Sequence, residues 1–73
     1  MIRYSNRGGN SNVESYEIGN DYIAVKFKGK NKIYVYSYST AGAQNVDQAK
    51  KLAENGSGIN NYIMLNMKNN FER

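Results

Sequence analysis

The sequence predicts an α+β domain, a three-stranded antiparallel β-meander followed by two helices packed on one of its faces. Two observations carry that prediction. From Val13 to Ser39 the apolar residues recur with a period of two, and beyond Thr40-Ala41-Gly42-Ala43 the period becomes helical. With 73 residues the chain has room for one domain, and with no cysteine to cross-link it, its core has to be efficient or completed by a partner.

Residues 1–12, MIRYSNRGGNSN, are rich in Gly, Asn and Ser and have no period. They are expected to form a flexible basic arm carrying Arg3 and Arg7, with the folded unit at 13–71. The first strand is Val13 to Ile18, closed by Gly19-Asn20-Asp21, whose residues tolerate left-handed turns. In the second, Ile23, Val25 and Phe27 alternate with Ala24, Lys26 and Lys28, the pattern of a strand with one buried face. Gly29-Lys30-Asn31 turns the chain into a third strand, Ile33 to Tyr38, rich in β-branched and aromatic residues. The second strand lies in the middle.

For the first helix, Asn45 is the expected N-cap and Gln48 occupies the capping-box position. Val46, Ala49, Leu52 and Ala53 form the buried stripe, Asp47–Lys51 and Lys50–Glu54 are i,i+4 pairs on the wet side, and Asn55-Gly56 is the stop. The last segment, Gly58 to Phe71 with Ser57 as cap, fits a helix through Ile59, Tyr62, Ile63 and Met67. It also alternates like a strand through Ile63, Leu65 and Met67. Its length favours the helix.

Charge and composition narrow the chemistry. Ten Lys and Arg against six Asp and Glu leave a formal charge of +4. The absence of His and Cys excludes a Cys/His zinc site, a disulfide framework, a Cys or His nucleophile and an imidazole base. The carboxylates show no pairing, so no enzyme, cofactor or metal is expected. No apolar run approaches the ~20 residues of a membrane span. The start Met1-Ile2-Arg3-Tyr4-Ser5 lacks a signal-peptide core, so a cytoplasmic protein with no membrane partner is expected. Twelve Asn, seven Lys, six Ile and seven Tyr all have A/T-rich codons, and a low-GC genome accounts for their abundance. The Lys and Tyr therefore have to be judged by position.

By position, Lys26, Lys28, Lys30 and Lys32 crowd into seven residues at the tip of one hairpin. Such a knob suits the salt-dependent phosphate contacts of nucleic-acid binding. The same lysines also serve to solvate an exposed hairpin and guard its edge. Tyr34, Tyr36 and Tyr38 share a face of the third strand. Left open beside Tyr22, that face is a stacking platform for bases; covered by the helices, it is core. Alternation leaves both readings open, because Ile33 and Val35 are apolar too, and Tyr38 is the member expected outside. Asn60 and Asn61 are expected to tie a loop to nearby backbone.

The candidate nucleic-acid-binding residues are Lys26, Lys28, Lys30, Lys32, Tyr38, Arg3 and Arg7, with RNA or another nucleic acid as partner. The alternative is a module for protein–protein interaction or self-association, docking a partner or a second copy on an edge of the meander or on Tyr62, Leu65 and Phe71.

Three fragments carry a resemblance. They are Ile23-x-Val25-x-Phe27, then Tyr34-Val35-Tyr36, then Gly56-x-x-Ile59-Asn60-x-x-Ile63, in that order over about Val13 to Phe71. Together they are similar to the KTSC domain, found at the C-terminus of some lysyl-tRNA synthetases and as free-standing bacterial proteins. The chain departs from it at Val46-Asp47, where the family commonly has Val-Pro, and at Ile59, which stands in place of an aromatic residue. The resemblance implies a β-meander followed by helices, and RNA binding is suggested by the synthetase context.

Overall fold

In the computed structural model, which describes residues 1–7, 9 and 12–72, the period-two stretches form an antiparallel sheet and the later segments fold over one side of it. Strands β1 (Ile2–Arg3), β2 (Val13–Ile18), β3 (Tyr22–Phe27) and β4 (Ile33–Ser37) lie in the order β1-β2-β3-β4. Helices α1 (Tyr38–Ala41), α2 (Ala43–Asn55) and α3 (Ile59–Asn66) follow. The α+β class and the meander β2-β3-β4 are as expected; a further strand and a further helix are additions.

The inner face of the sheet presents Tyr16, Ile23, Val25, Phe27 and Tyr36. Against them pack Val46, Ala49 and Ala53 of α2, Ile59 and Ile63 of α3, and Met67. Complete burial of a large apolar side chain contributes about 1.5–3 kcal/mol, so this single layer carries most of the stability. The stripe expected on α2 is the buried one. The ambiguous last segment is helical because Ile59 and Ile63, one turn apart, both reach this core and are fully buried.

The flexible arm is a correction. Ile2 sits opposite Tyr16 and Arg3 opposite Ser15, and the Tyr4 N–H donates to the Glu14 carbonyl at 3.0 Å. Tyr4 is 3% exposed and meets Tyr16 edge-on, with ring centroids 6.5 Å apart. One aromatic anchor orders a stretch whose average composition argues against order. Of the expected arm, Gly8, Asn10 and Ser11 lie outside the described residues. The folded unit therefore begins before Val13.

The third strand also ends earlier than its aromatic pattern suggests. Ser37, the last residue of β4, also caps α1: the Thr40 N–H donates to Ser37 Oγ at 3.2 Å and the Ser37 N–H donates to Thr40 Oγ1 at 3.1 Å. That reciprocal box turns Tyr38 into a helical residue. Asn45 is not the cap of α2; Gly42 is. The Asn45 Nδ2 donates to the Ala41 carbonyl at 3.0 Å and its Oδ1 accepts from the Tyr62 hydroxyl at 2.9 Å, joining α2 to α3. The i,i+4 pairs are replaced by Lys50, which reaches Asp47 at 3.8 Å and the Asn20 carbonyl at 3.1 Å. Gly56 ends α2 in the left-handed region at φ 84°, and a Cβ there would lie 2.8 Å from Ser5 Cβ. The predicted stop thus doubles as the landing site of the N-terminal segment.

Candidate nucleic-acid interface

The hairpin between β3 and β4 is fixed at its base. The Lys28 N–H donates to the Asn12 carbonyl at 2.7 Å and the Lys30 N–H to the Phe27 carbonyl at 3.3 Å. After α3 the chain turns back toward this hairpin. The Asn70 N–H donates to the Met67 carbonyl at 3.0 Å and the Glu72 N–H to the Val35 carbonyl at 2.7 Å, which lays the last residues along β4. Phe71 is thereby packed on Tyr34, with centroids 4.8 Å apart, and edge-on to Tyr36 at 6.2 Å.

The return leaves a groove of about 500 Å³ between the hairpin and the end of α3. Lys28, Lys30 and Lys68 border it, Tyr34 and Phe71 form its aromatic wall, and Asn60 lies within it. Among the described residues no Asp or Glu lines it. Lys32 stands over that wall, its Nζ 5.2 Å from the Tyr34 ring centroid and 5.0 Å from that of Phe71. A cation so placed on two rings is held by their quadrupoles, for about 0.5–1 kcal/mol at an exposed site. The wall is cationic as well as aromatic.

The tyrosines do not form one platform. Tyr36 is core, and burial, with a smaller contribution from the charge of Tyr34, pushes its phenol up to about 12. Tyr34 is half-buried against Phe27, Phe71 and the core. Tyr38 lies at the opposite end of the sheet, its N–H on the Asp21 carbonyl at 2.9 Å. The length of β4 therefore separates Tyr38 from the hairpin lysines. The Tyr38 hydroxyl donates to Asp47 Oδ1 at 2.6 Å, which raises its pKa, and Lys50 Nζ sits 5.2 Å from its ring centroid.

The seven candidate residues therefore separate. Lys28 and Lys30 line the groove, with Lys32 on its wall. Lys26 and Arg3 project from the other face of the sheet, in one row with Ser15 between them, and Lys26 Nζ pairs with Glu14 Oε2 at 3.1 Å. Arg7 closes the end of α2: its N–H donates to the Gly56 carbonyl at 2.6 Å and its Nη1 to the Asn55 carbonyl at 3.4 Å. Sequence reasoning missed Lys68 and named Phe71 only for the alternative docking surface, because the turn after α3 that delivers both to the groove has no periodic signature.

Among the described residues two buried side-chain polar atoms are left unpaired, Asn60 Oδ1 and the Tyr4 hydroxyl. Asn60 Oδ1 thus does not tie a loop to backbone as expected. Burial raises the Tyr4 pKa; the Ile59 amide opposes that shift but makes no well-aligned bond to the hydroxyl. Tyr62 and Phe71 both pack onto the core, leaving Leu65, 74% exposed, as the open member of the alternative docking surface. Among the described residues no three His, Cys, Asp or Glu are placed to hold a metal ion, and no helix is long and apolar enough to cross a membrane.

The fold and the groove define a small α+β domain with a lysine-bordered, aromatic-walled cleft between a hairpin and its last helix. Compared with protein-family models, with curated proteins and with solved structures, the chain finds no match.

Proposed function

We propose that this chain is a non-enzymatic, KTSC-like cytoplasmic domain that binds single-stranded nucleic acid, RNA in particular, in the groove between the β3–β4 hairpin and α3. One observation carries the reading: Lys28 and Lys30 from the hairpin and Lys68 from beyond α3, distant in sequence, border the same groove, which no Asp or Glu lines among the described residues. Lysines grip phosphates as mobile point charges and read no base edges, so the binding is weak, sequence-tolerant and steeply salt-dependent. Tyr34 and Phe71 offer the edge of an aromatic wall to a base, a smaller contribution than an open platform would make. The KTSC-like part rests on the three sequence fragments, of which Ile23, Val25, Tyr36, Ile59 and Ile63 meet in the core while Tyr34 and Asn60 line the groove.

The test is fluorescence anisotropy with a short labelled single-stranded RNA. Three phosphate contacts on a single strand give a slope of log K against log salt of about −2, so affinity falls by roughly an order of magnitude between about 50 and 200 mM salt. Absence of binding at tens of micromolar protein near 50 mM salt overturns the proposal.

A further inference from the structure

The outer face of the sheet has no helix over it, and its charges are sorted along the strands. Strand pairing sets Arg3, Ser15, Lys26 and Ile33 in one row across it and Glu17, Ala24 and Val35 in the next, with Tyr22 and Ser37 beyond. At the hairpin end stand Arg3 and Lys26, with Lys28, which also borders the groove, and among the described residues Glu14 offsets them. At the other end Glu17, Asp21 and Glu72 surround a depression of about 490 Å³ that no Lys or Arg lines among the described residues. Its floor is apolar, made by Ala24, Val35 and Ile33, with Met1 at its side; Ile33 is 46% exposed and Met1 51%. A row holding Arg3 and Lys26 lies beside a row holding Glu17, and both end in an apolar residue on β4, Ile33 and Val35; the pair of rows is complementary to itself after a half-turn about an axis between them.

We infer that this face pairs two copies of the chain, sheet against sheet, about a two-fold axis running across the strands. Such an axis keeps each strand over its own counterpart and reverses its direction. The basic end of one copy then lies on the acidic end of the other, and Arg3 of each copy reaches Glu17 of its mate. Two aligned sheets pack about 10 Å apart. With the axis between the row of Lys26 and Ile33 and the row of Ala24 and Val35, Ile33 of each copy faces Val35 of its mate, and Arg3 lies one strand over from the mate's Glu17. The contact is isologous, so it closes at two copies and does not propagate. Lys28 borders both surfaces, but Lys30, Lys68, Tyr34 and Phe71 of the groove lie away from the paired face, so the groove stays open in the pair.

The experiment uses sedimentation equilibrium on the full chain. The wild type dimerises with rising concentration in low salt, and added salt weakens the dimer. Arg3→Glu and Glu17→Arg, both at exposed positions, each weaken it by about tenfold, since each places two like-charge contacts across the axis. Mixing the two variants restores the dimer, because a hetero-pair regains opposite charge at both contacts. An intramolecular Arg3–Glu17 interaction is not rescued by mixing. Ile33→Lys, at the apolar contact with Val35, weakens the dimer in high salt as well. Circular dichroism identical to wild type keeps the folded state out of the comparison. A wild type that stays monomeric at millimolar concentration in low salt, or a mixture no more associated than its parts, overturns the inference.

Discussion

Two shallow concavities of nearly the same size, about 500 Å³ beside the hairpin and about 490 Å³ on the outer sheet face, carry opposite charge. The first is bordered by Lys28, Lys30 and Lys68, the second by Glu17, Asp21 and Glu72. A net charge of +4 describes neither. The difference follows from how each is built. The groove forms where a hairpin tip meets a helix end, two sites at which solvated lysines are easily carried. The outer depression forms on the strands themselves, where alternation turns Glu17 and Ile33 toward water while Ala24 between them stays covered. Charge sorted by location, and not total charge, is what the fold adds to the sequence.

The largest way to test this division of the sheet is to compare its two sides. Ile59→Ala empties a fully buried position behind the inner face and is expected to cost about 2–5 kcal/mol in urea unfolding. Ile33→Ala on the outer face is expected to stay within about 0.5 kcal/mol in dilute solution. Equal effects would mean that the outer face is covered. Phe71→Ala strikes the groove wall, where the ring is only partly buried. It should lower stability by about 2–3 kcal/mol and weaken RNA binding as well, because the return that carries Lys68 loses its anchor. Gly56→Ala forces a side chain into the left-handed region and against Ser5, for about 1–2 kcal/mol. Its unfolding midpoint falls while the groove lysines remain in place.

A smaller effect comes from pH. Burial holds the Tyr36 phenol at about 12 in the folded chain, above the ordinary tyrosine value of 10.0. The proton is held more tightly in the folded state, so this stabilisation is complete below pH 10 and is lost as pH rises through about 12. Tyr22 shifts in the same direction through its hydrogen bond to Glu17, and Tyr38 through its bond to Asp47. Thermal unfolding followed between neutral pH and pH 12 should show the melting temperature falling across this window. In Tyr36→Phe the fall should be shallower.

Much of this architecture is legible in the residues. The alternation of Ile23, Val25 and Phe27 with Lys26 marks β3 because a half-buried strand imposes a period of two, and the stripe of Val46, Ala49 and Ala53 marks α2 for the corresponding helical reason. What escaped that reading depends on single residues with no period. Strand β1 is two residues long, and only the burial of Tyr4 gives it a reason to dock. Tyr38 continues an aromatic alternation that Ser37 and Thr40 interrupt by capping a helix, a local contest that the hydrogen-bonded box wins. Half of the groove was visible as the lysine cluster at the hairpin. The other half, Lys68 and Phe71, depends on where a turn delivers them, which tertiary contacts with Tyr34 and Val35 decide.

The most direct test of the central claim sets the two basic clusters against each other in one RNA titration. Lys30→Glu with Lys68→Glu changes the groove, and Arg3→Glu with Lys26→Glu changes the outer face by the same charge. The salt slope of each is compared with that of the wild type. The groove variant is expected to lose most of its binding, with whatever slope remains shallower by at least about 1.4, while the outer-face variant retains the wild-type slope. If both variants lose affinity and slope equally, binding follows net charge and the groove is not the site.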